Sequence, residues 1–253
     1  MNNNNKLPLI GILGHQHAGT YNLGYGQNAA YIQYFREFGN VIIIDAQNEE
    51  TLPIDLLVLP GGRDVNPLLY GKKPNINTQA PDLEYEWFFE NTFKKYLQKA
   101  QSNETAIYGI CAGFQNIVVN FGGTLKQHYA QEQSNDFRGE LVDNLEFNND
   151  FFNKNDYYNE YYKSYKTSKD FNKTNSLHHQ AVLEKGLSND FDIIATNRVY
   201  DNIEFISHKT LPIGAEQGHP EERLNPLLTN MIINNLLNTI KNEQESVSVR
   251  EIQ

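Results

Sequence analysis

The sequence predicts an α/β fold in which helices cover both faces of a mostly parallel central sheet. Three short apolar runs, at residues 8–13, 55–59 and 105–110, have the length and composition of buried strands. Residues 29–38 and 82–100 lie between them and repeat apolar side chains at helical spacing. Strands and helices that alternate in this way are typical of a parallel sheet that is buried on both faces.

The predicted elements follow each other in a regular order along the chain. The first helix stops at Gly39, after which residues 41–44 (VIII) are β-branched and predict a second strand. The strand at residues 55–59 ends in a Pro-Gly-Gly turn and precedes the helix at residues 82–100. The same patterns predict the remaining elements: a strand at 105–110, a helix at 112–121, strands at 193–195, 203–206 and 211–215, and a closing helix at 224–240.

We expect residues 1–253 to form a single domain with its core at residues 6–242. Within it, residues 130–174 shift to Asn, Tyr, Asp and Lys with few aliphatic side chains, which predicts an insertion. Loops of this length are either functional or without fixed structure. A solvated surface excursion is one interpretation of the segment, and a lid or a surface for a partner is the other.

Charge and composition exclude several classes of partner. The formal net charge of −10 and the pI near 5.2 repel phosphate backbones and anionic lipid headgroups, so we expect neither nucleic acid nor a membrane as partner. No run approaches the roughly twenty apolar residues of a membrane span, and the start of the chain lacks the apolar core of a secretory signal. We therefore expect a cytoplasmic protein. A single cysteine excludes an intramolecular disulfide and a Cys cluster for zinc.

That cysteine, Cys111, lies between an apolar strand and a predicted helix, in the sequence GICAGFQ at residues 109–115. Small residues on either side permit the strained strand-to-helix turn of a nucleophile elbow, and the helix N-terminus stabilises a thiolate there. A buried structural cysteine is the other interpretation of an isolated Cys. The G-x-C-x-G-x-Q spacing favours the nucleophile.

Two histidines follow the first predicted strand. His15, Gln16 and His17 stand where open α/β sheets place loops that contact ligands. Two histidines are too few for a metal site by themselves, so we expect a surface loop or a substrate-facing loop. We expect neither a metal nor a cofactor.

Four separated blocks of sequence carry a family resemblance. They are LPGGRD at 59–64 followed by Pro67, Tyr70 and Gly71, GGTL at 122–125, NSLHHQA at 175–181, and GHPE at 218–221. With the cysteine elbow, they resemble the class I, triad-type glutamine amidotransferases, and within these the γ-glutamyl-γ-aminobutyrate hydrolase-like group of γ-glutamyl hydrolases. The resemblance spans residues 8–238 apart from the insertion. It implies the flavodoxin-like fold of that superfamily, with the insertion before the SLHHQA block.

The resemblance implies a catalytic triad of Cys111, His219 and Glu221. The histidine would accept the thiol proton and later protonate the leaving amine, while the glutamate orients the imidazole and stabilises its cation. The expected oxyanion donors are backbone N–H groups: one from Gly61 or Gly62, and the other from Ala112.

The same family implies four substrate-binding candidates: Gln115, His178, His179 and Gln180. For Gln115 a helix-capping role stays open, and for the other three a structural role stays open. Two departures from the family pattern concern specificity. Ala112 stands where a larger residue is usual, so the substrate specificity stays open. Gly218 stands where an aromatic residue is common, which predicts a pocket open to a larger leaving group.

We expect hydrolysis of a γ-glutamyl amide through a γ-glutamyl thioester, with release of glutamate and an amine. The alternative is a glutaminase subunit that supplies ammonia to a partner synthase. The SLHHQA and GGRDVNP blocks favour the hydrolase, and the retained Cys, His and Glu argue against a non-catalytic binding protein. A small γ-glutamyl substrate is the expected partner, while a homodimer and a synthase partner both stay open.

Overall fold

A computed structural model describes residues 6–250 except 19–22, 129–142, 169–170, 176, 179, 198–200 and 224–225. Its strands are β1 Leu9–Leu13, β2 His15–Ala18, β3 Leu23–Gly26, β4 Asn40–Ile44, β5 Leu56–Leu59, β6 Ala106–Ile110, β7 Leu125–Lys126, β8 Asp143–Phe147, β9 Lys173–Thr174, β10 Ala181–Val182, β11 Phe191–Asn197, β12 Ile203–His208 and β13 Ile213–Glu216. Its helices are α1 Ala29–Phe35, α2 Leu83–Asn91, α3 Phe93–Gln101, α4 Ala112–Asn120, α5 Asn149–Lys154, α6 Asp156–Tyr165 and α7 Leu227–Arg250. Among the described residues, no helix combines the length and the apolar character needed to cross a bilayer.

The central sheet has the strand order β4-β1-β5-β6-β13-β12-β11-β8-β9. The five strands from β4 to β13 are parallel, and each strand from β12 to β9 is antiparallel to its neighbour. Helices flank this sheet on both faces. The predicted α/β fold class is therefore confirmed.

Alternate residues of the central strands face two separate hydrophobic cores. In β5, Leu56 and Val58 pack with α1 and α7 on one face of the sheet, whereas Leu57 and Leu59 pack with α2, α3 and α4 on the other. All four side chains are fully buried. Burial on both faces explains why this strand is an unbroken apolar run in the sequence.

The helix predicted at residues 82–100 is in fact two helices, α2 and α3, which meet at Thr92. Thr92 is buried, and its hydroxyl donates a hydrogen bond to the carbonyl of Asn48 at 2.8 Å. Thr92 has φ −105° and ψ −34° and lies between the last residue of α2 and the first residue of α3. Phe88 and Phe93, on either side of the break, are both fully buried. The two short helices therefore cover the same core.

The described part of the segment 130–174 extends the sheet and its core. β8 pairs with β11, and β9 pairs with β8. Helices α5 and α6 lie on the α7 face, where Phe151, Phe152, Tyr158 and Phe171 are buried. These aromatic residues therefore belong to a hydrophobic core. This part of the segment is not the solvated surface excursion of the first interpretation. The first part of the segment, residues 130–142, lies outside the described residues.

The carboxyl ends of β5, β6 and β13 lie side by side, because these strands are parallel neighbours in the sheet. Ligands of open α/β sheets bind outside this edge. Each of the three strands is followed by one of the motifs singled out above: the Pro-Gly-Gly turn, Cys111 and the His-Pro-Glu sequence. The topology therefore gathers the three motifs at one place.

Candidate active site

Cys111 occupies a strained turn between β6 and α4. Its backbone has φ 51° and ψ −105°, a conformation that costs a non-glycine residue roughly 1–3 kcal/mol. Two backbone hydrogen bonds hold it: the N–H of Cys111 donates to the carbonyl of Glu216 (2.9 Å), and the N–H of Gln115 donates to the carbonyl of Cys111 (3.0 Å). The residue is the N-cap of α4, where the helix dipole stabilises a thiolate.

The glycines beside the elbow are required by close packing. A Cβ on Gly113 would lie 2.0 Å from the carbonyl oxygen of Leu59, and a Cβ on Gly109 would lie 2.6 Å from Cδ1 of Ile117. Neither position has room for a side chain. The G-x-C-x-G spacing therefore lets α4 approach the end of β5 closely.

His219 is oriented by Glu221. A 3₁₀ turn, Pro220–Glu222, brings the carboxylate back to the imidazole, and Nδ1 of His219 donates to Oε1 of Glu221 at 2.7 Å. The Glu221 side chain is only 2% exposed, so water screens this ion pair little. Asn175 fixes the backbone of the histidine: its Oδ1 accepts from the N–H of His219 (2.7 Å), and its Nδ2 donates to the carbonyl (3.0 Å).

The charges around His219 favour its imidazolium form. Burial by itself lowers the pKa of His219, but the charge of Cys111, a hydrogen bond with Cys111, and the hydrogen bond and charge of Glu221 hold this pKa well above its ordinary value. Burial, followed by the charge of Glu221, raises the pKa of Tyr31, so the phenol is neutral. The imidazolium is therefore the form of His219 that this environment favours.

Gly61 lies beside both the cysteine and the histidine. A Cβ on Gly61 would lie 2.7 Å from Cε1 of His219 and 3.5 Å from Cβ of Cys111. The N–H of Gly61 donates to the hydroxyl of Tyr31 at 2.9 Å, and the same hydroxyl oxygen lies 3.3 Å from Nδ1 of His219. Tyr31 therefore joins the Pro-Gly-Gly turn to the histidine.

The next glycine adjoins the helix that follows the nucleophile. A Cβ on Gly62 would lie 3.8 Å from Cβ of Ala112, the first residue of α4. The first N–H groups of a helix have no acceptor within that helix. Gly62 is therefore a close neighbour of the N-terminus of α4, which begins directly after Cys111.

The residues predicted to bind substrate are buried and hydrogen bonded within the protein, as far as they are described. Nε2 of Gln115 donates to the carbonyl of Gln180 at 2.9 Å, and Nδ1 of His178 lies 2.8 Å from the same carbonyl. The side chain of Gln180 accepts from the N–H of Val65 (3.0 Å) and donates to its carbonyl (3.2 Å). These bonds tie the SLHHQA block to the turn after β5 and to α4. His179 lies outside the described residues.

The loop expected after the first strand is instead a short hairpin. His15, Gln16 and His17 belong to β2, which pairs antiparallel with β3. The prediction of a loop there is wrong, because an adjacent strand at Leu23–Gly26 supplies partners for its backbone. Within the described part of the chain, no group of three or more His, Cys, Asp or Glu side chains could hold a metal ion.

Gly218 does not open a pocket. A Cβ at this position would lie 2.3 Å from Oγ1 of Thr174 and 3.0 Å from Oδ1 of Asn175. The expectation of a wider pocket at Gly218 is therefore wrong, because Thr174 and Asn175 fill the space. Glycine here permits the close approach that lets Asn175 hold His219.

Two contributors to this site were not assigned roles from the sequence: Tyr31 and Asn175. Tyr31 lies on the apolar face of a predicted helix, where an aromatic residue is most simply explained as core. Asn175 lies in the NSLHHQA block, so the block identified its neighbourhood but not its contact with His219. Only tertiary structure reveals both contacts, since each spans more than 40 positions of sequence.

Comparison with known proteins places this geometry in a family. The family model for Peptidase C26 matches residues 8–221, which include the cysteine elbow and the His-Pro-Glu turn. The chain belongs to the Peptidase C26 family. It is thus class I glutamine amidotransferase-like, as predicted, while its membership of the γ-glutamyl hydrolase group stays a prediction.

Individual relatives agree with this family. The glutamine amidotransferase-like protein YvdE of Lactococcus lactis subsp. lactis is 33% identical over 141 residues, which make up 51% of this chain and only 58% of the length of YvdE. A protein from Thermoplasma acidophilum described as part of a GMP synthase has 19% identity and a TM-score of 0.59, and the match covers 96% of this chain and 98% of that chain. A glutamine amidotransferase from Thermotoga maritima has 16% identity and a TM-score of 0.52, with coverage of 96% and 86%. These two likenesses show a shared fold.

Proposed function

We propose that this member of the Peptidase C26 family hydrolyses a γ-glutamyl amide bond with Cys111 as nucleophile, His219 as acid and base, and Glu221 as the orienting carboxylate. The observation that carries the proposal is the arrangement of these three side chains. Nδ1 of His219 is bonded to Glu221, and the charge of Cys111 acts on the same imidazole. A nucleophile, a base and an orienting group in this order are what acyl transfer requires.

The reaction proceeds through a thioester. The Cys111 thiolate attacks the γ-carbonyl carbon, forming a C–S bond and a tetrahedral oxyanion. The C–N bond then breaks as the His219 imidazolium gives its proton to the departing amine. The neutral imidazole next takes a proton from a water molecule that attacks the thioester. Breaking the C–S bond releases glutamate and restores the thiolate–imidazolium pair.

The geometry favours Gly62 over Gly61 as an oxyanion donor. The N–H of Gly61 already donates to Tyr31, so it would have to exchange that bond for one to substrate. A Cβ on Gly62 would lie 3.8 Å from Cβ of Ala112 at the N-terminus of α4, so we assign the backbone N–H groups of these two neighbours as the oxyanion donors. Backbone donors of this kind stabilise the charge that develops in the transition state.

Substitution of the nucleophile tests this proposal. Wild-type protein should release glutamate from at least one of a panel of γ-glutamyl amides without any added protein, and Cys111→Ser should lower kcat by more than about 10⁴-fold because the thiolate is lost. A γ-glutamyl chloroketone should label each wild-type molecule once, at Cys111, and mass spectrometry should detect no label on the variant. Turnover that survives Cys111→Ser contradicts the mechanism.

The glutaminase subunit of a synthase is the remaining candidate, and the same panel separates it from a hydrolase. Glutamine is included among the substrates, with and without a candidate synthase. Release of glutamate only from glutamine, and only with the synthase present, would favour the subunit. Turnover of substituted γ-glutamyl amides by the isolated chain would favour the hydrolase.

A further inference from the structure

A second histidine and carboxylate pair lies beside the Pro-Gly-Gly turn and has no part in the mechanism above. Nδ1 of His15 lies 3.0 Å from Oδ2 of Asp82. The imidazole stacks on Tyr85 with the ring centroids 4.8 Å apart and the planes 8° from parallel. The Tyr85 hydroxyl donates to the carbonyl of Pro60 at 2.8 Å. The orientation of the ring is therefore fixed from its edge and from one face.

The bonds of Asp82 determine which nitrogen of His15 carries a proton. Oδ1 of Asp82 accepts from the N–H groups of Glu84 (3.1 Å) and Tyr85 (3.2 Å) and so caps α2. The hydrogen bond from His15 outweighs burial and lowers the pKa of Asp82, so the carboxylate is ionised and accepts only. Nδ1 of His15 must therefore be the donor, and in the neutral ring Nε2 is left as an acceptor.

This acceptor lies next to the proposed oxyanion donor. Cε1 and Nε2 of His15 lie 3.6 and 3.9 Å from the position that a Cβ on Gly62 would occupy. The His15 side chain is 19% exposed. Within the part of the chain that the structure describes, no group forms a hydrogen bond with its Nε2. By contrast, the amides of Gln115 and Gln180 are buried and bonded within the protein.

We propose that His15 is a substrate-binding residue whose Nε2 accepts a hydrogen bond from an N–H group of the γ-glutamyl compound, and that Asp82 is the residue that positions it. The inference rests on the proposed function, since it assigns a contact in the same site. The N–H group is the α-ammonium of the glutamyl part or an ammonium of the amine part. The negative charge of Asp82 favours a cation at either position.

Three substitutions test the contact. His15→Phe keeps a ring on Tyr85 and removes Nε2, so KM should rise about tenfold with little change in kcat. His15→Gln retains an amide oxygen near the position of Nε2 and should lie between this variant and the wild type. Asp82→Asn keeps the cap on α2 through its oxygen but presents an N–H to His15, which moves the ring proton to Nε2. This variant should raise KM as much as His15→Phe.

The substrates distinguish the two sources of the N–H group. If the α-ammonium is bound, the difference between wild type and His15→Phe should vanish for a glutaric acid monoamide, which lacks it. If the amine part is bound, the difference should vanish when a diamine leaving group is replaced by a neutral alkylamine. A KM that is unchanged by His15→Phe, or a fall in kcat alone, overturns the inference and leaves the ring as a brace for the turn.

A binding measurement keeps this inference separate from the proposed function. Cys111→Ser cannot turn over substrate, so calorimetry on this variant measures affinity for a γ-glutamyl amide without catalysis. Adding His15→Phe to it should weaken binding about tenfold. Equal affinities overturn the contact even if the wild type is an active hydrolase. Weaker binding supports the contact even if the wild type hydrolyses nothing. Thermal unfolding of each variant verifies that the fold is retained.

Discussion

His219 is subject to opposing effects that one substitution can separate. Its burial lowers the pKa of the imidazole, while Cys111 and Glu221 raise it. Glu221→Gln removes the charge of one partner, so the pKa of His219 should fall. Because the imidazolium protonates the leaving amine, the alkaline limb of the kcat profile should move to lower pH. At neutral pH, kcat should fall roughly 10²-fold to 10⁴-fold. A pH series of initial rates measures both effects.

Glu222→Gln is the matched control, because it makes the same change one position along the same 3₁₀ turn. Its profile should match that of the wild type, and an equal shift in both variants would contradict a specific role for Glu221. The raised pKa of His219 also makes the stability of the fold depend on pH. A pKa raised on folding means that His219 contributes its full stabilisation below its ordinary pKa of 6.5 and loses it as the pH rises through the folded pKa.

Single functional residues could be predicted from the sequence where they lie in a short motif. Cys111 follows a strand and lies between glycines, so its local pattern predicts a nucleophile. His219 and Glu221 are predicted by the family resemblance of the GHPE block. Tyr31 could not be nominated, because nothing in its helix indicates that its hydroxyl accepts from a glycine 30 residues away. His15 was noticed only as one of two histidines, since its partner Asp82 is 67 residues distant.

The packing of α4 against the end of β5 requires glycine at position 113. Gly113→Ala would put a Cβ 2.0 Å from the carbonyl oxygen of Leu59, so the helix or the end of β5 must move. The free energy of unfolding should fall by about 1–3 kcal/mol, as in other overpacked sites. Labelling of Cys111 should also slow. Asn120→Ala, at the exposed end of the same helix, should change stability by less than about 0.5 kcal/mol. Urea unfolding of both variants measures the difference, and equal values would contradict the packing argument.

Elements were predictable where one strand or helix carries its own apolar pattern. β1, β5 and β6 are continuous apolar runs because both of their faces are buried, and α4 stops at a Gly-Gly pair. The break between α2 and α3 is not apparent from the sequence, because the apolar pattern continues through Thr92 from Phe88 to Phe93. β8 and β9 were missed because their sequences, DNLEF and KT, are mostly polar.

The antiparallel half of the central sheet was predicted less well from the apolar pattern than the parallel half. In the parallel half, the Pro-Gly-Gly turn, Cys111 and the His-Pro-Glu sequence follow the neighbouring strands β5, β6 and β13 at one edge of the sheet. The antiparallel half brings Thr174 and Asn175 from the end of β9 up to His219. The segment 130–174 therefore leads directly into the site, since the next residue, Asn175, holds the backbone of His219.

This connection leads to a prediction about the segment as a whole. Phe152 is fully buried, stacks on Tyr162 with centroids 4.3 Å apart, and meets Phe147 edge-on at 5.8 Å. Phe152→Ala should therefore lower the free energy of unfolding by about 3–5 kcal/mol, the usual cost of emptying an aromatic core site. Tyr165→Ala, on the exposed side of α6, should cost less than about 1 kcal/mol. Chemical denaturation measures both changes. If the segment were instead a lid, Phe152→Ala would raise KM while leaving the unfolding midpoint where it is in the wild type.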